Sequence, residues 1–385
     1  MGFVKGHIRN FIVGLVSMVM LVGCNVHEFP DTYLPDEPKL VPYQINFAFD
    51  TDMPFHEYYD YPSRASVDAV DYDVRYIINA YRSTTKAYEF TRTADATFVF
   101  TKDDVFNPDH SVVINLEEGI YRFIVWADYV DAGSEADKFY NTEDFASISL
   151  AGDLSGGHEG CNDFRDSFKG TKDAEVLSSR AETPNSTTIE MSRPHAKIKF
   201  ITTDLDKFIT RITRMKLEQA QKEAAAQQNS ASSDENMGVT EPSLDPDNAR
   251  PTAVNLADYR VRIKYPLYCP LSFNMFTDKR GKVAEDVWFE TSLMQISETE
   301  AELGFDYVFT EPEDTKVTMQ IEIYDSTVTK SDKESGLVAR SETMNIPISR
   351  GKLTIARGEF LSAVASGGTT INPDFDGEHL VGPFD

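Results

Sequence analysis

The stretch Tyr43-Gln44-Ile45-Asn46-Phe47-Ala48-Phe49-Asp50 sets Tyr43, Ile45, Phe47 and Phe49 against Gln44, Asn46 and Asp50. Successive side chains of a strand point to opposite faces, so this period of two describes a strand with one apolar and one polar side. The alternation returns along the chain. Val74, Tyr76, Ile78 and Ala80 alternate with Asp73, Arg75 and Asn79, and Leu303, Phe305, Tyr307 and Phe309 with Glu302, Gly304 and Asp306. Val317, Met319, Ile321 and Ile323 do the same against Lys316, Thr318, Gln320 and Glu322. Strands of this kind suit antiparallel sheets with one wet face. From Ile120 to Val125 both faces are apolar, which predicts a central strand covered on both sides. The expected class is mostly β.

Two interruptions divide the pattern. Residues 132–184 are rich in Gly, Ser, Asp and Glu and read as long connections with little regular structure. A new strand set begins at Thr187, where Ala196, Ile198 and Phe200 go on to alternate with Lys197 and Lys199, so a domain boundary is expected near Pro184. The second interruption starts as one short helix. Thr203 with Asp206 three residues on resembles a capping box, and Leu205, Phe208, Ile209 and Ile212 have helical spacing that suits core packing. The helix runs out into Ala224-Ala225-Ala226-Gln227-Gln228 and a Ser, Asn, Asp and Pro stretch, read as a flexible insertion over about 216–250.

Lys5 and Arg9 precede an apolar run from Phe11 to Val22, and Leu21-Val22-Gly23-Cys24 closes it. The run matches the length of a secretory signal and is too short to span a bilayer, which takes roughly 20 apolar residues. The sequence resembles a bacterial lipoprotein signal, and that resemblance implies cleavage before Cys24 and acylation of its thiol and freed amine. Two or more acyl chains hold a protein stably, at about 0.8 kcal/mol per buried methylene. The expected organisation is a signal at 1–23, a tether at 24–40, an N-terminal β-sandwich at 41–184, a C-terminal β-sandwich at 185–365 and a tail at 366–385.

Loss of Lys5 and Arg9 with the signal takes the formal charge from −26 to −28. Phosphate binding needs clustered Lys and Arg, and none lies outside the signal, so nucleic acid is not an expected partner. The charge also keeps the body of the protein off anionic lipid, and membrane attachment falls to the anchor. Apolar residues at 41% suffice for real cores.

Tyr121 to Phe145 reads YRFIVWADYVDAGSEADKFYNTEDF. Together with Cys24-Asn25-Val26-His27-Glu28-Phe29-Pro30, Ser192-Arg193-Pro194-His195-Ala196-Lys197-Ile198, Ile346-Pro347-Ile348-Ser349-Arg350, Gly358-Glu359-Phe360-Leu361 and the tail Gly367-Gly368-Thr369-Thr370-Ile371-Asn372-Pro373, it resembles the fimbrillin-like surface lipoproteins of Bacteroidales. That superfamily includes fimbrial stalk, tip and anchor subunits. The resemblance implies two tandem transthyretin-like β-sandwich domains, and assembly by strand complementation, in which an extended segment of one subunit completes another's open sandwich. In polymerising members, cleavage after an Arg downstream of the lipidated Cys releases the first strand. Arg64, in Pro62-Ser63-Arg64-Ala65-Ser66, is the candidate processing site.

Enzymatic signals are poor. There is no nucleophile elbow, phosphate loop or metalloprotease His pair, and no catalytic residue or cofactor is assigned. With 63 acidic residues, no particular pair of glycosidase carboxylates stands out. His158, Glu159, Cys161 and Asp163 form a compact cluster but lack a second half-site for zinc, so a polar loop is the reading. Asp374, Asp376 and Glu378 alternate like calcium ligands, yet His379 stands where the loop needs Gly, and a solvated tail is expected. Cys161 and Cys269 are a candidate disulfide in an oxidising envelope, with two unpaired thiols as the alternative. Tyr58, Tyr59 and Tyr61, in Phe55-His56-Glu57-Tyr58-Tyr59-Asp60-Tyr61, are a candidate contact surface, with simple packing as the alternative.

The function expected from the residues and the resemblance together is a lipid-anchored, outer-membrane, cell-surface protein. It would serve as a fimbria-associated anchor or adhesion subunit, with fimbrial subunits or a host or microbial surface ligand as partners. The alternative is a stand-alone surface glycan-binding lipoprotein, and a hydrolase is a third reading.

Overall fold

A computed structural model describes residues 39–50, 72–83, 89–102, 110–152, 157–178, 185–231, 254–313, 315–328, 336–362 and 378–381. For 227–231 and 378–381 only the backbone is described. The first half of the chain forms β1 (Leu40–Phe49), β2 (Tyr72–Arg82), β3 (Ala96–Lys102), β4 (Ser111–Glu117) and β5 (Gly119–Asp131). Short β6 (Tyr140–Asn141) and β7 (Ile148–Leu150), then β8 (Ser167–Val176) and β9 (Ser186–Met191), complete it. The second half begins with β10 (His195–Thr202) and helix α1 (Leu205–Ala231). It continues through β11 (Tyr259–Tyr265), β12 (Cys269–Pro270), β13 (Ser272–Asn274), β14 (Lys279–Arg280), β15 (Val283–Ala284), β16 (Val287–Ser292) and β17 (Met294–Gln295). The remaining strands are β18 (Ala301–Phe309), β19 (Thr315–Asp325), β20 (Leu337–Arg340), β21 (Met344–Ile348), β22 (Leu353–Gly358) and β23 (Glu378–Val381).

The protein is mostly β, as expected, and its sheets pack face to face. Sheet β4-β1-β9 lies on sheet β3-β2-β5-β8 around one apolar core. Sheet β17-β18-β10-β22-β23 lies on β16-β11-β19-β20, with β21 also paired to β19, around a second. A small sheet, β14-β13-β7-β6, ties the halves together through the pairing of Ser272 with Ser149 and Phe273 with Ile148. Phe273, Met275 and Phe309 of the second half are part of the first core. The strand alternation is obeyed where it was clearest: Tyr43, Ile45, Phe47 and Phe49 are buried, as are Val74, Tyr76, Ile78, Ala80, Val317, Met319, Ile321 and Ile323. β5 is paired on both sides and is buried continuously from Phe123 to Val130, so the covered stretch lies further along than the expected Ile120 to Val125, of which Ile120 and Arg122 are only half-buried.

Several expectations are corrected. The wet face expected on β2 is instead covered, and Arg75 is held there by Asp128 and Asp137. On β18 a bulge breaks the alternation: Phe200 pairs with Gly304 and Ile201 with Glu302, so Leu303 is skipped. A one-residue slip turns later side chains to the opposite face. Leu303 and Val308 therefore enter the second core, while Phe305 and Tyr307 form a satellite cluster with Leu353.

Residues 132–184 are not mere connection, since they supply β6, β7 and β8. β8 is rich in charge and contains Gly170, which masks it in the sequence. A Cβ on Gly170 would stand 2.6 Å from Ile189 and Met191 side-chain atoms and 2.8 Å from Glu190 O, so glycine is what lets β8 approach β9. β9 runs parallel to β1 and places Ile189 and Met191 in the first core. The first core thus takes in side chains as far along the chain as Met191.

The helix is long, not short. Asp204 precedes its first turn and accepts from Leu361 N–H at 3.2 Å and Ser362 N–H at 2.6 Å, which pins the Gly358-Glu359-Phe360-Leu361 motif to the helix start in place of a Thr203 capping box. Phe208 and Ile212 are buried, and beyond Leu217 the described side chains are exposed. Strong helix formers carry α1 through the expected insertion as far as Ala231. The expected solvated tail contains β23, which pairs parallel to β22.

Candidate functional site

Two features of the fold stand out. The first is the slot that β1 fills. β1 is the middle strand of its sheet, antiparallel to β4 from Leu40↔Glu117 to Asn46↔Ser111 and parallel to β9 from Gln44↔Ser186 to Phe49↔Met191. Tyr43 stacks on Phe123 and Phe47 on Tyr76, and Phe49 meets Phe168 edge-on. Val41 and Ile45 complete the buried face. Such a strand cannot leave without exposing both neighbours' backbone groups and an apolar slot.

The second is a polar seam between the halves, organised around two buried carboxylates. Asp306, on β18, accepts from His158 Nε2 at 2.7 Å, Tyr265 Oη at 2.6 Å, the Tyr307 N–H at 2.9 Å and Arg165 Nη1. Burial pushes the Asp306 carboxyl up, but His158 and Arg165 outweigh it and hold the group well below the usual carboxylate range. Asp166, at the start of β8, is bound by Arg193. His195 Nε2 accepts the Ser167 N–H at 3.0 Å, and burial together with Arg193 and Arg165 pushes its pKa well below the ordinary histidine value.

The loop from Gly157 to Arg165 carries one side of this seam. Gly157 has φ +95°, and a Cβ there would lie 2.8 Å from Trp288 O, so both backbone conformation and close approach require glycine. The His158 N–H donates to that same oxygen at 2.9 Å and the Cys161 N–H to Phe305 O at 2.9 Å. Lys197, expected to point to water on β10, is buried beneath the loop and donates to Asp163 at 2.7 Å.

The four residues weighed as metal ligands are thus engaged elsewhere. His158 bonds Asp306, Glu159 accepts from Asn162, Cys161 Sγ accepts the Phe305 N–H at 3.3 Å, and Asp163 is held by Lys197 and Tyr307. Among the described residues no group of three or more His, Cys, Asp or Glu side chains is placed to hold a metal ion. Cys161 and Cys269, the candidate disulfide, are free thiols in this structure, Cys161 half-buried and Cys269 buried within the second core. Cys24, Arg64, Tyr58, Tyr59 and Tyr61 lie outside the described residues. No described helix is long and apolar enough to cross a membrane. Sequence reasoning missed Arg165, Asp166, Tyr265 and Asp306 as a joined set. Only Arg193 and His195, inside the Ser192 to Ile198 motif, carried a signal.

No curated relative is matched. Similar solved structures include the fimbrial anchor protein Mfa2 of Porphyromonas gingivalis, at 12% identity over 79% of this chain and 82% of that one, TM-score 0.39. A fimbrial assembly protein of Parabacteroides distasonis is 7% identical over 83% and 92% of the two chains, TM-score 0.37. A candidate polysaccharide-binding protein of Bacteroides thetaiotaomicron is 11% identical over 78% and 79%, TM-score 0.40. A family model described as "Family of unknown function (DUF6562)" matches residues 38–382, from just before β1 to just past β23, so both cores and the seam fall within it and the chain belongs to that family.

Proposed function

We propose that this protein is a non-enzymatic, lipid-anchored subunit of the cell envelope that holds or terminates a fimbria and keeps its own first strand. The observation that carries this reading is the placement of β1 in the middle of its sheet, with five side chains buried in the first core. Burying each is worth roughly 1.5–3 kcal/mol. Their sum is comparable to the whole stability of a domain, about 5–15 kcal/mol. A strand so committed is a poor candidate for release, and an occupied slot accepts no donor strand. Strand complementation would then run one way, with the neighbouring fimbrial subunit as the acceptor. The lipid on Cys24, joined to β1 through the tether expected at 24–40, would pull directly on the strand that the sheet grips from both sides.

In this reading the two cores are two tandem sandwich domains clamped by the seam, and the molecule transmits load as one body from lipid to fimbria. Mass spectrometry of protein taken from native membranes tests it. The expected mature N-terminus is an acylated Cys24 on the full-length chain, and Cys24→Ala should leave the membrane fraction. A mature N-terminus at Ala65 would make the protein a polymerising stalk subunit and overturn the assignment.

A further inference from the structure

β3 ends the sheet β3-β2-β5-β8. It pairs with β2 from Val74↔Lys102 to Ala80↔Ala96, and among the described residues no strand lies along its other side. Each of its residues is half-buried or exposed, whereas every other described strand of the first sandwich buries at least one side chain fully. Phe98 and Phe100 pair with the buried Ile78 and Tyr76 and pack against the first core, yet both stay partly exposed.

A free edge is an open row of N–H and C=O groups, and proteins blunt it with charge, Pro, bulges or a very short strand. Other outer strands here follow that rule: β4 ends on Glu117, β8 carries Lys172 and Asp173, β16 carries Glu290 and β20 Arg340. β3 does not. From Ala96 to Thr101 it holds no charged residue, Pro or Gly.

The order of its residues says what fits the edge. Thr97-Phe98-Val99-Phe100-Thr101 reads the same in both directions. A second copy laid antiparallel, with a two-fold axis at Val99, sets Thr97 against Thr101, Phe98 against Phe100 and Val99 against itself. Thr with Thr and aromatic with aromatic are cross-strand pairs that stabilise a sheet, and Lys102 falls opposite Ala96, so no like charges are opposed within the strand. The same patch serves both copies, as a two-fold interface requires. The edge of β4 lacks this symmetry: a two-fold axis at Ile114 would set Val113 against Asn115.

We propose that β3 is a docking edge for a second copy of this chain, joining the two four-stranded sheets into one across a two-fold axis at Val99. The phenylalanines of both copies then cover one another beside the first cores. The contact leaves the β1 slot untouched and is independent of whether the chain anchors a fimbria. One short strand makes a small interface, in the weak range below about 1,200 Å². The formal charge of −26 on each copy also opposes it.

The test is sedimentation of the full chain in detergent over a range of concentrations. A reversible dimer should appear, and it should tighten between about 0.1 and 1 M salt, over which the Debye length falls from about 10 to 3 Å. Val99→Lys sets two ammonium groups against each other at the axis, on an edge where Lys is well tolerated. It should weaken the dimer at least about tenfold while the chain keeps its melting temperature, and Val99→Thr should leave the dimer intact. Cysteine cross-linking reads the register. Directly opposed residues of an antiparallel pair have Cα atoms about 4.5–5.5 Å apart, within reach of a disulfide, so Val99→Cys should join to itself. Thr97→Cys should not, since its two copies would lie about 14 Å apart along the strands, but a mixture of Thr97→Cys and Thr101→Cys chains should. Five results would each overturn the proposal: a chain that stays monomeric in high salt, a dimer that survives Val99→Lys, Val99→Cys cross-linking no faster than the parent chain, Thr97→Cys joining to itself as readily, and Val99→Cys capturing a fimbrial subunit in place of a second copy.

Discussion

Arg193 and Asp166 meet in a paired contact with each side chain only 1% exposed: Nε donates to both carboxylate oxygens at 2.9 and 3.0 Å, and Nη2 to Oδ2 at 2.8 Å. Arg193 stands on the crossing from β9 to β10, and its guanidinium lies 4.5 Å over the Phe168 ring. It also donates to Asp50 O, at the end of β1, at 3.4 Å. The pair therefore fastens the first strand, the start of β8 and the passage between the cores at one point. Removing one partner of a buried pair leaves the other charge uncompensated, at a cost of about 3–5 kcal/mol, whereas replacing both with apolar groups is often close to neutral. Arg193→Met should lose stability of that order in urea unfolding, and Arg193→Met with Asp166→Leu should lose far less than the two single changes added. A single-variant loss below about 1 kcal/mol, the range of exposed pairs, would show that the contact does not hold the halves.

Acid should loosen the same seam, and the sign follows from His195. Its pKa is lowered in the folded protein, so below the unfolded value of about 6.5 the unfolded chain takes up a proton that the folded chain refuses. Stability is then fully present above that pH and falls as pH drops, by up to about 1.4 kcal/mol per unit. The groups around the ring reinforce this. Arg193 and Arg165 oppose a second positive charge, and although Asp306 favours it and Asp166 lies 3.5 Å away, both carboxylates already pair with arginine. Asp306 acts in a lower window. Its depressed pKa stabilises the fold above the unfolded carboxylate value of about 3.9 and is lost below it. The melting temperature should therefore fall between about pH 7 and pH 5, and His195→Gln, which keeps an acceptor for the Ser167 N–H, should flatten that fall. An unchanged slope in the variant would assign the effect to other groups.

How much of this could be read from the sequence depended on what held each element. β1 and β19 were legible because their inward faces are uniformly apolar, and the alternation needs no knowledge of partners. β8 was not, because its place is fixed by β5 alongside and by the close approach of Ile189 and Met191 to Gly170, contacts between distant segments. The bulge at Leu303 left no mark in the pattern, since Leu303, Phe305, Tyr307 and Phe309 read as one face whether or not the register slips. The seam was hidden for a related reason. A buried Asp306 looks like the polar side of a strand until Arg165 and His158, nearly 150 residues earlier, are known to cover it.

The cysteines give a direct chemical check. Cys269 is 3% exposed, and burial pushes its thiol above the usual range, so it should react slowly in the folded protein. Cys161 is half-buried and accepts the Phe305 N–H. With Cys24 acylated, two thiols per chain should titrate in denaturant without reductant, and in the native protein Cys161 should react ahead of Cys269. A count of zero would reveal a bridge formed in the cell.

The last prediction tests the grip on β1. Its loss would strand the β4 edge from Ser111 to Glu117 and the β9 edge from Ser186 to Met191, both of which pair with it. It would also empty a slot lined by Phe123, Tyr76 and Phe168, the rings that Tyr43, Phe47 and Phe49 pack against. Unpaired edges beside an apolar slot are a template for association. A chain beginning at Ala65 should therefore be strongly destabilised and prone to aggregate, while the full chain should form nothing larger than a dimer in detergent. A synthetic peptide of residues 39–50 should restore the melting transition of the short chain, because it supplies both rows of backbone hydrogen bonds and all five inward side chains. The same peptide should leave the full chain untouched, since its slot is filled. A short chain that is as stable as the full one would mean that β1 is dispensable and that the slot is built to be vacated, which would turn the protein from anchor into acceptor.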